Sequence, residues 1–258
     1  MSNDTTKARM TAHEKMDGMS PRARHEEKRL NVLEWTYRWG WTTAMVITDL
    51  LEVERRGFAK QLVGKGFLKP ITVHKSSGVY GVPIEVFALT QLGVNEVETM
   101  CSLSYLEAYR QSYYENQLTH DLVVQKIVLS LLKAGFEGYM TPQEITVHLD
   151  GRLGVKRPDA IIFSKGVKTA IELELSKKVG REWDTTRFLI AKSLREKMFD
   201  EFLIVSNSEA ILRRYESELK EGRRVNLWTR NAARQWNATG TTLLTGIEGK
   251  MTTKKIKL

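Results

Sequence analysis

Residues 157–178 read RPDAIIFSKGVKTAIELELSKK and contain two apolar segments that carry acidic side chains. These segments predict two β-strands, at about 158–164 and 167–175, because apolar and β-branched residues dominate both of them. The polar sequence between them predicts a short hairpin. Residues 160–163 are uninterrupted apolar sequence, which is typical of a strand that is buried on both faces. The hairpin is therefore predicted to form part of a buried sheet.

The second predicted strand carries two acidic side chains on one face. Glu172 and Glu174 are two residues apart, and successive side chains of a strand point to opposite faces. Strand pairing would bring Asp159, at the start of the first strand, close to both of them. Three carboxylates at the edge of a buried sheet repel one another unless a cation lies between them. Asp159, Glu172 and Glu174 are therefore predicted ligands for Mg²⁺ or Mn²⁺. The alternative is an amphipathic hairpin whose acidic face is simply solvated.

This pattern resembles the PD-(D/E)xK nuclease superfamily, which has the restriction-endonuclease-like fold. Pro158 and Asp159 match the P-D of the motif, and Glu172 matches its (D/E). Glu174 stands where the family has lysine, so the motif reads P-D…E-L-E. The resemblance implies metal-assisted cleavage of a phosphodiester bond, in which a bound ion polarises the scissile phosphate and stabilises the leaving oxyanion.

The departure from the motif leaves the position of the usual lysine open. Lys177, Lys178 and Lys192 follow the motif strands and are candidates to reach the site. We assign the charge-balancing role to Lys178 or Lys192, and a further ligand or base role to Glu174.

Composition favours a polyanionic partner. The 258 residues include 40 Lys and Arg against 31 Asp and Glu, a formal net charge of +9. Such a charge favours nucleic acid or an acidic membrane surface. The sequence has no run of 18 apolar residues, so no membrane insertion is expected. Cys101 is the single cysteine, which excludes an internal disulfide framework, and without a signal peptide the default expectation is a cytoplasmic protein.

Five segments are predicted along the chain. They are a flexible basic arm at 1–28, a winged-helix DNA-binding domain at 29–100, a tyrosine-rich linker helix at 101–117, a nuclease-like domain at 118–240 and a basic tail at 241–258. The last eight residues of the tail, 251–258, are expected to be disordered. The predicted fold class is α/β, or α+β overall, with a winged helix-turn-helix followed by a restriction-endonuclease-like mixed sheet flanked by helices.

The winged helix is predicted from three short helices followed by a two-stranded ribbon. The sequences G-K-G-F-L at 64–68 and V-F-A-L-T-Q-L-G at 86–93 are similar to those that enter and leave the wing of winged-helix proteins. The third helix, predicted at about 53–65, is basic and would lie in the major groove of double-stranded DNA, with the wing over the phosphate backbone. The candidate DNA-binding residues are Arg55, Arg56, Lys60, Lys65 and Lys75. The alternatives are a solvated basic helix face and a protein-interaction module.

The nuclease-like domain is predicted from alternating helices and strands after residue 118. A helix is expected at 120–134, a strand at 145–149, and further helices at 184–199 and 208–221, with strands at 202–205 and 225–228. The first helix begins H-D-L-V-V-Q, which places His120 and Asp121 at the end where this superfamily often donates an acid to the metal site.

His120 heading that helix, followed by P-D-A and E-L-E-L-S, resembles the replication-relaxation family and the MobC-type plasmid relaxases. The resemblance covers residues 30–230 and implies nicking of one DNA strand at a plasmid transfer or replication origin, for mobilisation or conjugation. It also implies a divalent metal, held with help from Asp121, and as partners an accessory relaxosome protein and a coupling protein. Whether water or a tyrosine, Tyr139 or Tyr215, attacks the phosphate stays open. The alternatives are an ordinary site-specific endonuclease or resolvase, and a non-catalytic DNA-binding regulator whose nuclease fold is degenerate.

Overall fold

A computed structural model describes residues 19–54, 57–74, 81–100, 117–149 and 154–257. The chain divides into two compact units. The first contains the described residues up to Val73 together with those from Glu85 to Met100. The second contains the described residues from 117 onward, and the short segment between Val73 and Glu85 is grouped with it. Both units combine helices and strands, which confirms the mixed α and β class.

The first unit contains three helices, a two-stranded ribbon and a closing helix. In chain order these are α1 (Pro21–Trp39), α2 (Ala44–Leu50), α3 (Phe58–Gly64), β1 (Leu68–Thr72), β2 (Glu85–Leu89) and α4 (Gln91–Met100).

Helix α1 begins earlier than its apolar pattern indicates. Ser20 caps it by accepting a hydrogen bond from the backbone N–H of Ala23, and Pro21 occupies the first turn, where its missing N–H costs nothing. Residues 21–28, which we predicted to belong to a flexible arm, are therefore helical. Residues 1–18 lie outside the described part of the chain.

The predicted third helix is shorter than expected. Helix α3 spans Phe58–Gly64, and Arg55 and Arg56 lie outside the described residues, as does Lys75. Lys60 is exposed on α3 and Lys65 follows its last residue. Thr43 caps helix α2, because its hydroxyl accepts a hydrogen bond from the backbone N–H of Val46 at 3.1 Å.

The ribbon pairs β1 with β2 in antiparallel register, and Thr42 adds an isolated bridge to Phe87. Gly93 lies against the turn that enters β1, where a side chain would place Cβ 2.3 Å from the carbonyl oxygen of Phe67. Apolar side chains from the helices and the ribbon form one core beneath them. Its fully buried members include Val32, Leu33, Tyr37, Leu62 and Val97.

The second unit is built on a five-stranded mixed sheet. Its elements are α5 (Leu118–Lys133), β3 (Gly138–Met140), α6 (Pro142–His148), β4 (Ala160–Ser164), β5 (Val167–Leu173), α7 (Gly180–Arg195), β6 (Glu201–Ser206), α8 (Glu209–Glu218), β7 (Arg224–Arg230), β8 (Trp236–Leu243) and β9 (Met251–Lys255). The sheet order is β3-β4-β5-β6-β9, while β7 and β8 form a separate two-stranded hairpin. Neighbours β3, β4 and β5 are antiparallel, whereas β6 runs parallel to both β5 and β9.

The predicted hairpin at the centre of the sheet is confirmed. Ser164 pairs with Val167, and the two residues between them, Lys165 and Gly166, both have positive φ, 48° and 80°. Positive φ at both positions is the geometry of the hairpin turn whose twist matches that of the flanking strands.

The strand predicted at 145–149 is wrong. The segment forms α6, which begins with a capping box: the Thr141 hydroxyl accepts from the N–H of Glu144, and the Glu144 carboxylate accepts from the N–H of Thr141. Pro142 follows in the first turn. These N-terminal signals outweigh the β-branched residues Ile145, Thr146 and Val147 that favoured a strand.

The disorder predicted for residues 251–258, the end of the basic tail at 241–258, is also wrong. Strand β8 continues to Leu243, and β9 pairs with β6 from Phe202–Met251 to Ser206–Lys255. Met251 packs partly against the core of the unit, and the Thr253 hydroxyl donates to Glu216 Oε1. The folded part of the second unit therefore extends well beyond residue 240.

The sheet is covered by α7 and α8, whose buried side chains complete the core. Its members include Trp183, Ile190, Phe202, Ile204 and Leu212. No helix of the described residues is long and apolar enough to cross a membrane.

Candidate active site

Asp159 is fixed where β4 begins, beside the end of β5. Its backbone N–H donates to the Ile171 carbonyl at 2.9 Å, which extends the ladder of the hairpin by one residue. Its Oδ2 accepts from the backbone N–H of Leu173 at 2.7 Å. The carboxylate therefore lies against the backbone of the last residue of β5, next to Glu172, as the pairing of the strands predicts.

Glu172 and Glu174 are both buried, with 2% and 3% of their surface exposed. Strand β5 lies in the interior of the sheet, where Glu172 pairs with Ile204 of β6 and the Glu174 N–H donates to the Val205 carbonyl. Burial of two carboxylates costs several kcal/mol unless cations or hydrogen-bond donors accompany them. The acidic face is therefore enclosed, and the alternative of a solvated acidic face does not fit.

Two lysines supply the opposing charge. The Lys156 ammonium lies 2.5 Å from Glu172 Oε1. The Lys178 ammonium lies 3.4 Å from the same oxygen and makes a closer ion pair with Glu174 Oε1. Lys178 thus bridges the two glutamates, and the predicted group of mutually repelling carboxylates is a charge-compensated cluster.

The titration behaviour of the cluster reflects this balance. Burial raises the pKa of Glu172 to about 7, although Lys156 and Lys178 act in the opposite direction. Burial lowers the pKa of Lys178, but the charges of Glu172 and Glu174 outweigh it and raise the pKa above its ordinary value. Lys178 is therefore held as a cation, whereas Glu172 is poised to exchange a proton near neutral pH.

His120 joins the cluster from the first turn of α5. Its Nε2 lies 3.4 Å from Asp159 Oδ2 and its Nδ1 lies 3.5 Å from Asp121 Oδ1. Burial lowers the pKa of His120, but the hydrogen bonds and charges of Asp121 and Asp159 outweigh it and raise the pKa to about 10. Burial raises the pKa of Asp159, but His120, the Leu173 N–H and Lys156 together bring it below its ordinary value. His120 is therefore an imidazolium that pairs with Asp159 at neutral pH.

The two candidate tyrosines occupy different environments. Tyr215 on α8 is 2% exposed, and its hydroxyl donates to Glu174 Oε1 at 2.6 Å. Burial and the charge of Glu174 raise its pKa, which disfavours the phenolate that a nucleophile needs. Tyr139 on β3 is in register with Ile162, which pairs with Thr169, three residues before Glu172 along β5. That offset corresponds to roughly 10 Å along the strand.

Lys192 makes an ion pair outside the acidic cluster. Its ammonium is 3.9 Å from Oε1 of Glu196, the residue that directly follows α7. Among the three candidate lysines, Lys178 is therefore the one that makes ion pairs with Glu172 and Glu174 in the described part of the chain.

Lys156 was missed because its contact with Glu172 depends on a loop outside any strand. The Lys156 backbone N–H donates to the Ser193 hydroxyl of α7 at 3.0 Å, which holds the segment before β4 against the helix. The one available signal was its position in the sequence K-R-P-D, three residues before Asp159.

The donors of the cluster suit a hard cation only in part. Oε2 of Glu172 is buried and has no hydrogen-bond partner among the described residues, so it can accept a ligand bond without losing an existing one. The Asp159 side chain is 24% exposed and lies beside the same end of β5. Glu174 already holds Lys178 and the Tyr215 hydroxyl. Within the described ranges, no three His, Cys, Asp or Glu side chains form a ready metal-binding group.

The chain matches no protein-family model, and no curated protein or solved structure is significantly similar to it.

Proposed function

We propose that the protein is a divalent-metal-dependent DNA endonuclease that nicks one strand at a plasmid transfer or replication origin, as a relaxase does. The observation that carries the proposal is the position of Asp159 and Glu172 at the adjoining ends of two paired central strands, with a lysine ammonium 2.5 Å from Glu172. Carboxylates and a lysine in this arrangement can handle the charge of a phosphodiester group.

The order of elements in the second unit supports the nuclease part of the proposal. Helix α5 precedes three antiparallel strands, β3, β4 and β5, and helix α7 then leads to β6, which is parallel to β5. This is the order expected for a restriction-endonuclease-like core. Asp159, which matches the P-D of the motif, directly precedes β4, and Glu172, which matches its (D/E), lies on β5.

Asp159 and Glu172 would hold the ion, since Glu172 has a free buried oxygen. When bound there, Mg²⁺ or Mn²⁺ would supply Lewis-acid polarisation of the scissile phosphate. Lys156 and Lys178 would balance the additional negative charge of the phosphate in the transition state. His120, paired with Asp159, would orient that carboxylate and, as a cation, can donate a proton to a leaving oxygen. Because Tyr215 is buried, water is the preferred nucleophile.

The first unit supports a DNA partner. Three helices, an antiparallel ribbon and the Thr42–Phe87 bridge follow the order of a winged helix, and Lys60 is exposed on its third helix. The net charge of +9 favours a polyanion. An accessory relaxosome protein and a coupling protein belong to the same proposal.

One observation favours a second candidate, a DNA-binding regulator without nuclease activity. Lys178 stands between Glu172 and Glu174, so the cluster is charge-balanced without a metal. A degenerate nuclease fold would keep such a salt bridge for stability alone.

Incubation of the full chain with supercoiled plasmid DNA that includes the sequence around its own gene, with MnCl₂ or with a chelator, separates these functions. We expect metal-dependent conversion to nicked circles. Linear product would indicate an ordinary endonuclease or resolvase, and gel retardation without cleavage would indicate the regulator. Glu172→Gln should abolish nicking and leave DNA retardation intact, whereas the control Glu209→Gln, at an exposed position on α8, should behave as wild type.

A further inference from the structure

The β7–β8 hairpin is an exposed, basic ribbon. Every residue from 229 to 241 is exposed. Between Gly222 and Ile247 the sequence has four arginines, no lysine and no acidic residue. The arginines are Arg223, Arg224, Arg230 and Arg234. A surface of this composition complements a polyanion and offers little to a basic partner.

The hairpin is fixed to α7 through one buried carboxylate. Asp184 Oδ2 accepts from Trp228 Nε1 at 3.1 Å and from Asn226 Nδ2 at 2.9 Å, while Oδ1 pairs with Arg187 at 2.6 Å. Asp184 is only 6% exposed. These contacts use Asn226 and Trp228 of β7, so the hairpin is held to α7 by hydrogen bonds that do not involve Trp236.

An aromatic ring on the ribbon is flanked by two guanidinium groups. Trp236, the first residue of β8, is 40% exposed. Cζ of Arg181 lies 4.3 Å from the centroid of its ring, and Cζ of Arg230 lies 4.9 Å from it. We call these three residues the Arg–Trp cluster. Part of this indole is open to solvent, and indole and guanidinium planes are the groups on which unpaired bases stack.

The Arg–Trp cluster is close in the chain to the candidate active site. Arg181 is in the first turn of α7, three residues after Lys178, which bridges Glu172 and Glu174. Three residues span at most about 11 Å, so a strand whose phosphate lies at these carboxylates would need only a few nucleotides to reach the Arg–Trp cluster.

We infer that the Arg–Trp cluster of the β7–β8 hairpin binds single-stranded nucleic acid, with a base stacked on Trp236 and phosphates paired with Arg181 and Arg230. A single strand fits better than a duplex because its bases are free to stack, whereas duplex bases are already stacked on one another. The inference extends the proposed function by naming the form of the substrate beside the site: an unpaired segment next to the cleaved bond.

Fluorescence anisotropy of the full chain with a labelled oligo(dT) 20-mer, and with a blunt duplex of the same length, tests this inference. We expect Trp236→Ala to weaken oligo(dT) binding by about tenfold or more, the scale of one lost base stack, and to change duplex binding little. Trp236→Phe keeps a stacking plane and should stay within about threefold of wild type. Trp236→Ala also removes two cation–π contacts at a partly exposed site, so its melting temperature should fall by no more than about a few degrees, and Trp236→Phe should melt close to wild type.

A second pair of variants isolates the charge. Arg230→Ala should weaken oligo(dT) binding and reduce its salt dependence by about one phosphate contact. The matched control Arg213→Ala removes an arginine of α8 whose side chain is 75% exposed and paired with Glu209, and it should change neither quantity.

Two outcomes would overturn the inference. One is oligo(dT) affinity that is unchanged in Trp236→Ala. The other is a loss that is equal or greater for the duplex, which would make the ribbon a groove-binding element. Binding is measured without metal, so its result is independent of cleavage. If Trp236→Ala nicks DNA and keeps normal oligo(dT) affinity, the inference fails and the proposed nickase stands. If oligo(dT) binding depends on Trp236 but the protein never nicks DNA, the inference stands and the proposed nickase fails.

Discussion

Charge compensation decides how the candidate active site behaves at the scale of single residues. From the sequence, strand alternation placed Asp159, Glu172 and Glu174 together, and it could do so because the pattern is local. The partners that neutralise them come from other segments: Lys156 from a loop held by Ser193, and Lys178 from the turn before α7. The positions of these two lysines depend on tertiary packing. The sequence therefore predicted repulsion between the carboxylates, and the ion pairs that relieve it could not be foreseen.

Lys178→Gln should destabilise the protein. It leaves Glu174 buried without its cation, and breaking a buried ion pair from one side costs about 3 kcal/mol or more. Urea unfolding at pH 7.5 measures the loss. Lys177→Gln is the matched control, because Lys177 is exposed and adjacent. Equal stabilities for the two variants would show that the Lys178 bridge does not contribute. If the carboxylates bind metal, MnCl₂ should recover part of the loss.

His120 should make stability depend on pH in a defined direction. Its pKa in the folded protein is raised to about 10, so the folded state binds the proton more tightly than the unfolded chain does. The stabilisation is fully present below the unfolded value of about 6.5 and is lost as pH rises through 10. Since the ring is partly exposed, we expect about 1–2 kcal/mol between wild type and His120→Gln at pH 6, after allowance for solvent screening.

Urea unfolding of wild type and His120→Gln at pH 6, 8 and 10 tests this dependence. The difference in stability should shrink steadily as pH rises. His148→Gln, at an exposed position on α6, should show no such trend. A difference between wild type and His120→Gln that stays constant across the range would contradict the ion pair with Asp159.

At the scale of elements, strands with strong local signals were predicted correctly, whereas elements with mixed signals or that depend on pairing with a distant strand were not. Strands β4 and β5 were predictable because long apolar runs flank a turn sequence that adopts positive φ. Helix α6 was missed because three consecutive β-branched residues favour a strand, whereas the helix is specified by the capping box that precedes them. Strand β9 was missed because the lysines of its short sequence outweighed Thr252 and Thr253, and the strand is ordered by pairing with β6.

Gly93→Ala should destabilise the first unit, although alanine is normally the better helix former by about 1 kcal/mol. A Cβ at this position would lie 2.3 Å from the Phe67 carbonyl oxygen, so α4 or the turn into β1 would have to move. We expect a net loss of about 2 kcal/mol, measured by thermal or urea unfolding. Gly64→Ala is the matched control, since no atom lies within 4 Å of its added Cβ. It should be neutral or slightly stabilising.

At the scale of the whole molecule, the sequence indicated two folded regions because each has its own apolar pattern. The two compact units agree with that division. The tyrosine-rich linker helix was predicted at 101–117, and residues 101–116 lie outside the described part of the chain. Each unit has a separate buried core, which favours independent folding.

The first unit, expressed as residues 19–100, should fold and bind duplex DNA with strong salt dependence. If three or four basic residues among Arg55, Arg56, Lys60, Lys65, Lys69 and Lys75 contact phosphates, affinity should fall roughly a hundredfold between 50 and 200 mM NaCl. Anisotropy with a labelled duplex measures it. Lys60→Glu should weaken binding, whereas Lys60→Arg should retain it. Binding that is insensitive to salt would favour a protein-interaction module.

The position of β9 at the end of the sheet order has a consequence for solubility. A terminal strand presents backbone donors and acceptors on which another chain can add a strand, the first step of aggregation. Lys254 and Lys255 are exposed on this strand, and charged side chains at such an edge oppose that addition. Replacing both with threonine, which favours strands and carries no charge, should leave the fold intact but lower the protein concentration at which light scattering first rises.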